Sequence, residues 1–290
     1  MIYLIFSIIC SLTVGVLLKL AKRYHISIVQ VISWNYFFAI GFSFFFFKPV
    51  LSDLQFQSFS PVHLTLGFLL PAIFVFLALS VEKTGLARTD IAQRLSLFIS
   101  LTAAYFIFGD SYTPLKLCGI GLGFLAIVFT LYKQSGTAIS AVNWIYPALV
   151  FIGFGIIDVG FKLVSQQSAT LPYTTSLILI FCLAFIISMI YLTYLSITKR
   201  TRLQLVNFIC GGVLGFFNFG NILFYLKAHQ AMADSPSTVF AAMNMGVIIG
   251  GSLIGILLFR EKLSGWNYLG LFLALLSIIL ITLSQLNAVR

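Results

Sequence analysis

Ten apolar runs, each close to twenty residues long and separated by short stretches of charge, glycine or proline, leave this chain one solvent to fold in. They cover approximately residues 2–21, 28–47, 64–81, 89–108, 115–132, 144–164, 174–197, 205–226, 235–259 and 265–285. A bilayer core about 30 Å thick is crossed by roughly 20 apolar residues in a helix. Membrane barrel strands alternate apolar and polar residues over about ten positions, so continuous runs point to helices. Only 8% of the residues are charged, against about 25% in a soluble domain, and the mean hydropathy is +1.08. The expected fold class is all-α and integral to the membrane: a multi-pass chain of ten transmembrane helices with no room for a separate soluble domain.

The net charge of +10 raises nucleic acid as a partner. The basic residues, however, stand singly at the ends of apolar runs, without a basic-aromatic groove or tail, and no nucleic-acid partner is expected. Cys10, Cys118, Cys182 and Cys210 all fall inside apolar runs without ligand or disulfide spacing, and read as reduced filler. No basic stretch precedes the first run and no small-x-small cleavage signal follows it, so it reads as a retained helix.

The two halves of the chain echo each other. Phe108-Gly109-Asp110, with Gly119, Leu122 and Ile127 after it, lines up at one constant spacing with Phe259-Arg260-Glu261, Gly270, Leu273 and Ile278. Near the start of each half an apolar helix closes on a single lysine, Lys19 and Lys162. The expected division is residues 1–135 and 143–290. With five spans in each half, the second must enter the membrane in the opposite sense, giving two inverted five-helix repeats about an axis in the membrane plane. Loop charges cluster after odd-numbered spans (Lys22, Arg23, Lys83, Arg88, Lys133, Lys199, Arg200, Arg202, Arg260, Lys262), against Lys48, Lys116, Lys227 and Arg290 on the other face. That bias puts the odd loops in the cytoplasm and both termini outside.

These features resemble the drug/metabolite transporter superfamily, in particular its EamA-like ten-helix members with two five-helix repeats. The likeness spans essentially the whole chain. It rests on Lys19 and Lys162, the paired turns at 108–110 and 259–261, and Gly119 and Gly270. The first turn carries Asp110 where that family usually has Glu, and the fourth and ninth spans lack the proline often found in their first turns, the ninth having Pro236 just ahead of it. The resemblance implies cytoplasmic termini, opposite to the charge bias, and a central cavity among helices one to four and six to nine, with the fifth and tenth peripheral.

Ionisable groups inside membrane spans are costly and mark candidate sites. Asp158 and Lys162 stand four residues apart in the sixth span, on one helix face, where they can pair with each other or serve a cavity. Asp158 suits a proton or a substrate amine. Lys19 suits a substrate carboxylate or snorkels to the headgroups. Asp90 reads as a helix-start cap and Arg94, one turn deeper, as a cavity residue. Gln93 coincides with Asn244 between the repeats. Asn218, Asn221 and Tyr225 share one face of the eighth span, lining a polar pocket or bonding neighbouring helices. Trp34, Asn35 and Tyr36 offer an aromatic wall and a hydrogen bond, or an interfacial anchor. Gly119 with Gly123, Gly211 with Gly215, Gly246 with Gly250, and Gly251 with Gly255 form small-xxx-small pairs for close helix packing, and Pro71 interrupts the third span. His25, His63 and His229 fall in separate loops, without metal-ligand spacing or a catalytic motif, so neither an enzyme nor a cofactor is expected.

The sequence thus predicts a secondary transporter in a cytoplasmic (inner) membrane, exporting or exchanging a small organic metabolite such as an amino acid or nucleoside by alternating access. Its expected partners are that solute, the bilayer and coupling protons; monomer and homodimer both remain open. A non-transporting membrane scaffold or receptor is the alternative.

Overall fold

The computed structural model describes residues 2–24, 26–48, 60–84, 86–130, 141–166, 172–199, 203–259 and 265–288. Within them the chain is all-α. The helices are α1 (Ile2–Arg23), α2 (Ile28–Phe47), α3 (Pro61–Thr84), α4 (Leu86–Leu95), α5 (Leu97–Phe106), α6 (Pro114–Thr130), α7 (Ile145–Gln166), α8 (Tyr173–Lys199), α9 (Leu205–Ala231), α10 (Pro236–Phe259) and α11 (Gly265–Ala288), with a 3-10 turn at Ala141–Trp144. Eight of these are long and apolar enough to cross a membrane, and Pro114–Phe129 is a shorter apolar helix. The chain is therefore a multi-pass membrane protein. Taking α4 and α5 as one broken rod gives ten helices.

Local chemistry sets the boundaries. Pro61, Pro114 and Pro236 open α3, α6 and α10, where a missing N–H costs nothing and the fixed φ suits the first turn. Past α5, Gly109 adopts φ +65°, a conformation strained for other residues. It turns the chain so that the Asp110 N–H bonds back to the Ala104 carbonyl at 2.9 Å.

The fourth apolar run holds two ten-residue helices that meet at Ser96, which keeps helical dihedrals (φ −54°, ψ −23°) and its bond to the Ala92 carbonyl at 3.2 Å while its hydroxyl donates to the Gln93 carbonyl at 2.6 Å. Neither proline nor glycine makes this break. A hydroxyl competing for backbone carbonyls within a polar stretch, Arg88 to Ser96, accompanies it.

The core forms where glycines let backbones approach. A Cβ on Gly215 would lie 2.8 Å from the Asn35 carbonyl oxygen of α2, and one on Gly119 would lie 2.8 Å from Ile281 of α11. Gly246 and Gly250 of α10 likewise receive Ile8 and Leu12 of α1. The expected packing role holds for these pairs. Gly251 has only an ordinary contact with Leu12, and together with Gly255 it borders a small cavity instead. The outer surface is apolar, as on α1, where Ile2, Ile5, Phe6 and Ile9 are exposed along one face. Buried inside are Asp110, Lys116, Lys162, His63 and His229.

Gly215→Val should lower stability by about 1–3 kcal/mol, because the opposing atom is backbone and cannot swing away. Gly121→Ala, with nothing within 4 Å of its Cβ, should be close to neutral. Thermal unfolding in detergent checks both.

Candidate functional site

A cavity of about 410 Å³ lies among α1, α2, α3, α4, α7, α9 and α10. Gln93, Arg94, Asp158, Asn218, Asn221, Tyr225 and Asn244 all line it, together with Ser96 at the helix break, Tyr36, and an aromatic wall of Phe74, Phe154 and Phe161. Pro71 of α3 removes a backbone donor beside this wall, where Leu70, Ile73 and Leu77 complete the lining. Helices α6 and α11 add nothing to the lining, consistent with peripheral supports. The seventh expected span, α8, also adds nothing, because it packs behind α2 and α3.

Among the described residues, Asp158 is the only acidic one in the lining. One of its oxygens accepts the Ser100 hydroxyl of α5 at 3.0 Å, and the other accepts the Tyr225 hydroxyl of α9 at 3.1 Å. Two neutral donors thus hold a half-buried carboxyl at the cavity wall, tying three helices to one side chain. Ser100 owes its place to the break: it stands one turn beyond Ser96, on the half-helix that starts there.

Other polar groups are held by neighbours. The Ser7 hydroxyl bonds the side-chain oxygen of Asn221 at 2.9 Å, and the Asn244 amide donates to the Phe240 carbonyl at 3.1 Å. Tyr36 differs. Its hydroxyl is fully buried and has no hydrogen-bond partner among the described residues. Such a group is costly to leave unmet, and here it borders the cavity.

Three expected site residues lie elsewhere. Lys19 borders a second cavity of about 180 Å³ that shares Ser11, Gly15, Arg94 and Val247 with the first. That path leads toward the ends of α1 and α10. Asn35 is buried against α9, its backbone touching Gly211 and Gly215, and it does not line the cavity. Lys162 is fully buried on the opposite side, where α5, α7 and α9 end. It forms no ion pair with Asp158, although both point from one face of α7. Its Nζ donates to the Ala233 carbonyl at 2.8 Å and sits 5.8 Å from the Phe108 ring centre.

The same end is closed by Asp110. Its carboxylate accepts Lys116 Nζ at 2.7 Å and the Ser237 N–H, in the first turn of α10, at 2.9 Å. An acid from the first half thus satisfies the helix start of the second. The counterpart turn, Arg260-Glu261, lies outside the described residues, as do His25 and the side chain of Asp90.

Two histidines assigned to loops from sequence belong to helices. His63 is buried in α3 and His229 in α9, which runs to Ala231, beyond the expected end at 226. His229 continues the face of Asn221 and Tyr225 by another four residues, the signal that would have placed it. Ser100 had no comparable signal, since its role depends on the break.

Fold and site together define a polytopic helical membrane protein with a polar cavity among its helices. No family model matches the sequence. The chain is 41% identical over 283 residues to an uncharacterized protein of Haemophilus influenzae, covering 95% of each, and it belongs to one family with that protein. A protein of known crystal structure has the same fold, with a TM-score of 0.71 at 14% identity over 97% of this chain and 96% of the other.

Lys116→Met should destabilise the protein by about 3–5 kcal/mol by leaving the buried Asp110 unpaired, and adding Asp110→Asn should recover much of the loss. Denaturant unfolding of the single and double variants measures the difference.

Proposed function

We propose that this protein is a secondary transporter of the drug/metabolite type, moving a small organic solute by alternating access and using protons as the coupling ion. The observation that carries the reading is the cavity: a half-buried carboxyl beside amides, a phenol and aromatic rings, bordered by the junction of two short helices. Broken helices around a central polar site are a recurring feature of secondary transporters. A scaffold or receptor has no need of an unmet hydroxyl and a carboxyl facing the same internal space.

Helix neighbours support the inverted-repeat part of the proposal. Exchanging α1 with α7, α2 with α8, α3 with α9, α4–α5 with α10, and α6 with α11 turns the α1–α9 contact into α7–α3. The same exchange turns α2–α9 into α8–α3 and α1–α10 into α7–α4, and maps α2–α8, α6–α11 and α5–α10 onto themselves. A cavity between two such sets can be exposed to either side by rocking one against the other.

The chemistry favours a solute that carries an amine. Asp158 offers a carboxylate to an ammonium group, Asn218, Asn221 and Asn244 line the cavity with amides, and Phe154 and Phe161 cover an apolar portion. A volume of about 410 Å³ suits an amino acid or nucleoside.

Proteoliposomes given a pool of labelled metabolites, with and without a pH gradient, test the reading. Saturable, protein-dependent accumulation is expected, and Asp158→Asn should reduce flux of amine-bearing solutes by about tenfold or more through loss of a charge-assisted bond. No flux across a broad pool would favour the scaffold alternative.

A further inference from the structure

We infer that the solute is a zwitterion whose amine and carboxylate lie several bonds apart, bound with its ammonium on Asp158 at the inner end of the cavity and its carboxylate on Arg94 toward the mouth. This rests on the transport reading and names its substrate class.

The cavity is long. The Ser7 hydroxyl of α1 holds the Asn221 side chain of α9, so those residues are level, yet the lining of α1 continues to Leu18, eleven residues on and about 16 Å along the axis. Asp158 stands at the inner end, bonded to Tyr225 one turn past Asn221. The other end runs into the smaller cavity bordered by Lys19, and Lys19 is exposed. That end is the mouth.

Arg94 lines both cavities and is half-buried. Asp158 accepts the Ser100 hydroxyl at 3.0 Å, and Ser100 follows Arg94 by six residues through a junction with helical dihedrals, so the two charges stand about 9 Å apart in level. Long side chains in helices lean toward the helix start, which for Arg94 is away from Ser100 and widens the gap. Among the described residues Asp158 meets two hydroxyls and no cation. A guanidinium has five N–H donors in a planar fork and can receive a carboxylate while keeping a protein contact. Tyr36 stands on the same side: its helix packs on Gly215 of α9, ten residues and about 15 Å before Tyr225. A solute carboxylate there supplies the acceptor that the buried Tyr36 hydroxyl lacks among the described residues.

Charge and length together select the solute. Two charge-assisted bonds of about 2.8 Å each leave the gap open, and the amine and carboxylate of an α-amino acid, attached to one carbon, are too close to bridge it. A longer carbon chain between them reaches both. The wall between the charges suits such a chain. Phe154 stands one turn from Asp158 toward the mouth, near Ile73 of α3, which packs against Gly153, and Leu77 follows a turn later. These are apolar surfaces that gain by covering methylene groups.

Binding tests this without flux. Full-length protein in lipid nanodiscs is titrated calorimetrically with glycine, γ-aminobutyrate, ε-aminocaproate, butylamine and butyrate. One of the two longer zwitterions should bind at least about tenfold tighter than glycine, and tighter than butylamine or butyrate by a similar factor, the worth of one charge-assisted bond. Arg94→Gln should bring that zwitterion level with butylamine, Asp158→Asn should bring it level with butyrate, and Arg94→Lys should keep part of the preference. Tyr36→Phe should weaken the zwitterion more than butylamine. The comparison of the five probes on the unmodified protein decides the matter even where a variant fails to fold. Glycine bound as tightly as the longer chains, no preference for a zwitterion over butylamine, or no binding of any probe overturns the proposal. Flux separates it from the transport reading. Uptake of a labelled metabolite pool into proteoliposomes with no chain-length preference in binding overturns the two-ended site and leaves transport standing. The preference in binding without flux of the preferred zwitterion counts against transport and leaves the site standing.

Discussion

The fold is organised around a half-buried carboxyl group at the edge of an internal cavity. Asp158 sits in the middle of α7, and the two hydroxyls that hold it come from α5 and α9. Removing a charged or polar group from water without partners costs several kcal/mol, so those helices must remain where their hydroxyls reach. Close backbone approach at glycines provides the frame for this. With α9 seated against α2 through Gly211 and Gly215, and α10 against α1 through Gly246 and Gly250, space is left between the pairs, and the polar cavity occupies it.

Opposite ends of that cavity differ in chemistry. Toward the ends of α1 and α10 it continues into a smaller space lined by Gly251, Gly255 and Lys19. Toward the ends of α5, α7 and α9 lie the α5–α6 and α9–α10 connections, where Lys162 donates to the Ala233 carbonyl and Asp110 accepts the Ser237 N–H. The asymmetry comes from where the charges are satisfied. Asp110 and Lys116 neutralise each other in place, whereas Lys162 rests on a neutral carbonyl while an acid waits one turn along its own helix.

Much of this was legible in the residues themselves. Run length and hydropathy specify membrane helices almost without reference to tertiary structure, because backbone groups in a bilayer must be bonded within each segment. The spacing of Asn218, Asn221 and Tyr225 placed them on a common face, and they share the cavity. Gln93 and Arg94 also line it. What escaped depends on three-dimensional competition. The i,i+4 spacing of Asp158 and Lys162 announces a pair, but Ser100, Tyr225 and Ala233 outcompete it. The residue that faces the cavity from α2 is Tyr36 and not its neighbour Asn35, since a rotation of about 100° per residue separates them and hydropathy does not fix the phase of a helix that is apolar on every side. The break at Ser96 carries no proline or glycine to reveal it.

The seat of α10 has a consequence for how the protein is made. Synthesis proceeds from the N-terminus, so Asp110 and Lys116 are made before Pro236 and Ser237, and the acceptor for the start of α10 lies on the earlier part of the chain. A chain interrupted between the halves would carry the acceptor on one fragment and the helix start on the other.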